Sequence, residues 1–143
     1  GPYTEMDRKL WTFLLHAAWD DLGTKQLHEI NISEIESVFR KLGGDHNSEW
    51  IWKAAKRLTE TRVSFTAKFD DPRFDEIEGY SNLFNAMISR QRRISRTLVF
   101  EFPALLLPII KQPSRFARVQ VVVSTSRMSV TTVSKSTSRS PLW

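Results

Sequence analysis

The sequence predicts an α+β fold in which helices come first and strands with an arginine-rich turn between them follow. Two observations predict it. Apolar residues recur every three or four positions up to about residue 58, and from Arg62 the period switches to two. Charge is sorted as well: residues 1–89 hold eleven basic and fifteen acidic side chains, a net charge of −4, whereas residues 90–143 hold ten and one, a net charge of +9. Folding alone gives no reason for that sorting, while a polyanion approaching one end favours it.

At 143 residues with 41% apolar content the chain can build one ordinary core, expected over residues 7–123. The absence of cysteine excludes disulfides, thiolate metal sites and cysteine nucleophiles, and it fits a reducing compartment, taken here as the cytoplasm. The longest apolar run, residues 102–110, is interrupted by Pro103 and Pro108 and falls far short of the roughly 20 residues that span a bilayer. No membrane partner is expected. Residues 1–6 lack a charged-then-apolar leader and read as a cloning scar or the edge of a fragment.

Leu10, Trp11, Leu14, Leu15, Ala18, Trp19 and Leu22 form the stripe of a first amphipathic helix, closed near Gly23. Residues 27–32 alternate apolar and polar and read as a short strand. Ser33 and Glu36 have the spacing of a capping box for a second helix through Ile35, Val38, Phe39 and Leu42, which Gly43-Gly44 ends. Asn47 or Ser48 caps a third helix, whose buried stripe is Trp50 or Ile51 with Ala54, Ala55 and Leu58. Lys53, Lys56 and Arg57 share its solvent face. Trp50 and Trp52 lie two apart, so one of them is expected on the surface.

Val63, Phe65, Ala67 and Phe69 alternate with polar residues along a half-buried antiparallel strand that Asp70-Asp71-Pro72 breaks. Residues 75–79 read as an acidic loop. A second strand over residues 83–88 and a third with Leu98, Phe100 and Phe102 on one face flank Arg90, Arg92, Arg93 and Arg96, which makes a hairpin with a basic tip. Pro103 suits the first turn of a short helix through Ile110, and Pro113 stops it. Residues 116–123 pack as one more strand. Eleven of the seventeen residues from 124 to 140 are Ser or Thr, so residues 124–143 are expected to be a disordered tail that buries too little to offset its ordering entropy.

Helix, short strand, helix, helix, strand, basic turn, strand is the order of a winged helix, a helix-turn-helix with a β-hairpin wing. In it the third helix meets a DNA groove and the hairpin tip a neighbouring phosphate or minor groove. The DNA-contact candidates are therefore Lys53, Lys56 and Arg57 on the helix and Arg90, Arg92, Arg93 and Arg96 on the wing. A different class is a protein-interaction module in which Trp50, Trp52 and the flat strand over residues 63–69, with Ser64 and Thr66, form a dimer face. Absence of duplex binding at about 50 mM salt would favour it.

Enzymatic roles find little support. His16, His28 and His46 are scattered without an HExxH spacing, no phosphate-binding glycine motif occurs, and Asp70-Asp71 and Asp75-Glu76-Glu78 read as solvated loops. No cofactor is expected.

Residues 7–18, Leu27-His28-Glu29-Ile30, Ala54-Ala55-Lys56-Arg57-Leu58 with Val63-Ser64-Phe65, and residues 98–105 with Phe116-Ala117-Arg118-Val119 together resemble the N-terminal winged-helix domain of plasmid replication initiator proteins. The likeness is a diffuse pattern spanning roughly residues 7–123. It implies binding to repeats in a plasmid origin, dimerisation for copy control and recruitment of bacterial host replication proteins. Such initiators carry two winged helices in tandem, and these 143 residues are expected to hold only the first. Where the family continues into a long helix with a Ser-Lys-Tyr-like start, Ser126-Arg127-Met128-Ser129-Val130 stands instead, and a frameshift or truncation is the expected origin of the tail. A winged-helix transcriptional regulator is the alternative within the same fold.

Overall fold

The first turn of the chain is set by Thr4, whose hydroxyl accepts the Asp7 amide at 3.1 Å while the Asp7 carboxylate accepts the Thr4 amide at 3.1 Å. This capping box starts α1 (Glu5–Ala18), which buries Leu10, Trp11, Leu14, Leu15 and Ala18 as expected. Thr4, Glu5 and Met6, assigned by sequence to an edge before the domain, therefore belong to it. The computed structural model describes residues 4–41, 48–69, 73, 76–125 and 131–136.

The first helix stops earlier than Gly23. A 3-10 turn over Trp19–Asp21 follows Ala18, and Gly23 takes a left-handed φ of 90° in the turn beyond. Strand β1 (His28–Asn31) then runs directly into α2 (Ile32–Lys41). The cap of α2 is Asn31, not Ser33: its side-chain oxygen accepts the Ser33 amide at 2.8 Å. Extended backbone at the end of a strand already gives the last strand residue the conformation a cap needs. Helix α3 (Ser48–Thr59) buries Ile51, Trp52, Ala54, Ala55 and Leu58. Asn47, the other candidate cap, lies outside the described residues.

Neither tryptophan of α3 is exposed. Trp52 is 5% exposed, and the half-buried Trp50 ring lies 5.0 Å from that of Phe39. Helix α3 packs against both α1 and α2, so positions two apart can both find cover.

Strand β2 (Thr61–Phe69) alternates as its period predicts, with Val63, Phe65 and Ala67 buried. Its partner on one side is β3 (Ile77–Asn82), where an acidic loop was expected. Gly79 stands opposite Phe65, and a Cβ there would lie 2.1 Å from the tip of the Phe65 ring. The lack of a side chain at Gly79 is what lets the strand pass under that ring.

Strand β4 (Asn85–Met87) is shorter than the expected residues 83–88, because Leu83 and Phe84 both turn into the core. The connection after it winds into a short helix, α4 (Arg90–Ser95), before β5 (Thr97–Glu101). Strand β5 is central in an antiparallel sheet of order β1-β5-β4 and buries Leu98, Val99 and Phe100, so it is covered on both faces rather than one. Helix α5 (Leu107–Lys111) follows, starting four residues beyond Pro103.

Strand β6 (Phe116–Thr125) pairs with β2 along its length, giving a second antiparallel sheet of order β3-β2-β6-β7. Its last member, β7 (Thr131–Ser136), occupies sequence expected to be a disordered tail, with Val133 opposite Val123. Burial by side chains was the wrong measure there. The open edge of β6 offers a ladder of main-chain donors and acceptors, and Thr and Val suit a strand. Residues 126–130 and 137–143 lie outside the described residues.

The core between the two sheets and the helices is dense in aromatic rings. Phe84 stacks on Phe100 at 5.7 Å, and Trp11 meets Phe102 edge-on at 5.6 Å while its indole N–H donates to the Leu83 carbonyl at 3.1 Å. The base of the β4–β5 hairpin is thereby fixed to α1.

Candidate nucleic-acid interface

The third helix presents Lys53 and Lys56 to solvent, both exposed. Neither makes an ion pair among the described residues, and the same holds of Arg40 and Lys41, which end α2 where a helix dipole favours cations. On α1, by contrast, Arg8 and Lys9 lie within 4 Å of the Glu5 carboxylate.

Arg57 leaves the set. Its Nε and Nη2 donate to the two oxygens of Asp7, each at 2.9 Å, and Asp7 is fully buried. The bond to Asp7, outweighing the cost of burial, raises the Arg57 pKa above its ordinary value. The Arg57 carbonyl accepts the Thr61 hydroxyl at 2.8 Å, so this residue ties α1 to the end of α3 and to the start of β2.

Arg96 leaves it too. Its guanidinium pairs with Glu36 of α2, its carbonyl accepts the Ile32 amide at 2.8 Å, and its backbone takes a left-handed φ of 58°. Glu36, expected to close a capping box, is used in this clamp instead. Strand pairing brings β4 and β5 together as the hairpin the sequence predicted, with Met87 opposite Val99. Its tip is the α4 turn carrying Arg90, Arg92 and Arg93, whose side chains lie outside what the structure describes.

Of the expected dimer face, Trp52 is buried in the core and cannot serve. Ser64 and Thr66 do face away from the core, in register with Tyr80 and Glu78 of β3 and with Val122 and Gln120 of β6. Tyr80 is 69% exposed on that surface.

His28 is buried against the rings of Phe100 at 5.5 Å and Phe102 at 6.5 Å, and burial lowers its pKa below 6.5 although Asp21 and Glu101 pull the other way. His16 is exposed on α1, and His46, Asp70, Asp71 and Asp75 lie outside the described residues. Among the described residues no group of three or more metal-binding side chains gathers, and no helix is long and apolar enough to cross a membrane.

Sequence reasoning missed two parts of the β4–β5 hairpin: the Glu36–Arg96 clamp, which joins residues sixty positions apart and leaves no local signal, and Ile94, 74% exposed on α4. An isoleucine amid four arginines was the available clue to the second. No protein-family model, curated protein or solved structure matches the chain.

Proposed function

We propose that this chain is a winged-helix domain that binds double-stranded DNA and belongs to a plasmid replication initiator. The reading rests first on Lys53 and Lys56, exposed on α3 without a carboxylate partner among the described residues. Unmatched lysines on one helix face are what a phosphate backbone would neutralise. The sheet order β1-β5-β4 supports it, because the strand before α2 pairs with the returning strand of the arginine-rich hairpin, as a wing beside a helix-turn-helix requires.

In this reading α3 enters a groove, Lys53 and Lys56 contact phosphate, and Arg90, Arg92 and Arg93 extend the contact from the wing. Arg57 and Arg96 act indirectly, by holding α3 and the wing base in place. No catalytic role or cofactor enters. Origin repeats as the target, host replication proteins as partners and a bacterial cytoplasmic setting come from the resemblance to initiators. A homodimer formed through the face of Ser64, Thr66 and Tyr80 would suit copy control, and light scattering with Tyr80→Glu tests it.

Gel-shift titration of a random duplex tests the DNA reading. Binding at about 50 mM salt that weakens by several tenfold steps towards about 200 mM is expected, and absence of a shift at the lower salt overturns it.

A further inference from the structure

Seven large apolar side chains are exposed among the described residues, and three of them lie in the short stretch from the last residue of β4 to the end of α4: Met87 at 44%, Ile88 at 37% and Ile94 at 74%. Ile94 is the most exposed of the seven. Solubility argues against placing it there, since the same six-residue helix carries three arginines and would tolerate another polar residue. The residues just beyond it are anchored to α2 and β1. Two residues on, Arg96 is held by the Glu36 carboxylate and by the Ile32 amide, and Thr97 pairs with Asn31.

An apolar side chain on a fixed, arginine-rich projection has a known use on nucleic acid. It can enter the minor groove and part a base step while cations are drawn to the negative potential of a narrow groove. Taking the DNA-binding reading as its premise, we infer that the wing inserts Ile94 as a wedge into the minor groove of A·T-rich duplex, kinking it at a flexible pyrimidine–purine step. Met87 and Ile88 cover the flanking sugars. The clamp matters because unstacking is costly, and a mobile tip would yield rather than push the bases apart. A lipid surface fits less well, since helices that lie in a membrane interface are commonly several times longer than α4.

The full chain is titrated onto an A·T-rich duplex of about 40 base pairs, labelled at both ends for energy transfer and carrying a fluorescent adenine analogue beside its TA steps. Binding should bring the ends together and raise the analogue's emission. Ile94→Ser should lose both signals while affinity falls no more than about tenfold, and Ile94→Leu should keep both. If wild-type and I94S proteins bend and unstack the duplex equally, or if wild-type protein binds it straight, the wedge is wrong and the DNA reading stands. If wild-type protein does not bind the duplex, both fall. Sedimentation with phosphatidylserine vesicles that depends on Ile94, alongside unbent DNA, would reassign the tip to membrane and overturn the wedge.

Discussion

Arg57 grips Asp7 through two parallel bonds of 2.9 Å across fifty residues of sequence, and the same carboxylate closes the cap of α1. One buried group thus starts the first helix and fixes the end of the third. Arg57→Ala leaves the Asp7 charge buried without its counterion, which should lower stability by about 3 kcal/mol. Urea unfolding should show a lower midpoint at unchanged slope. An effect under about 0.5 kcal/mol, the range of ordinary surface substitutions, would mean the pair holds nothing together.

What the sequence yielded was local and periodic. The stripes of α1 and α3 and the alternation of β2 are written in neighbouring residues, and so is the hairpin around the arginines. What it withheld depends on residues far apart. Lys53, Lys56 and Arg57 share a helix face by spacing alone, and only the position of Asp7 separates the third from the others. Glu36 fits a capping box equally well whether or not Arg96 reaches it, and Asn31 could be named as the cap only once β1 was seen to end there. Trp52 looked available because helical spacing says nothing of a second packing partner.

Lys53→Ala with Lys56→Ala should reduce the salt dependence of DNA binding by about two units in slope, one for each phosphate that a lysine no longer neutralises, and weaken binding to all sequences alike. Thermal unfolding should be unaltered, since both side chains are exposed. An unchanged slope would remove α3 from the interface.

Gly79 and Phe65 form a pair whose fit is testable by a double-mutant cycle. Gly79→Ala places a methyl group where the ring now lies, so it should destabilise by about 2 kcal/mol or more through strain in a packed site. In a Phe65→Leu background the same change should cost clearly less, with a coupling of about 1 kcal/mol. Strict additivity would show that β3 shifts aside and that the close approach imposes nothing.

His28 gives the fold a dependence on acid. Burial against Phe100 and Phe102 holds its pKa below the 6.5 of the unfolded chain. As pH falls through 6.5 the unfolded chain takes up the proton first, which draws the equilibrium towards unfolding. Its contribution to stability is therefore level above that pH and declines below it until the lower folded pKa is passed. Chemical denaturation between about pH 7 and pH 5 should show this decline, and His28→Gln, which takes up no proton, should flatten it. Equal slopes for the two proteins would place the acid sensitivity elsewhere, in the carboxylates.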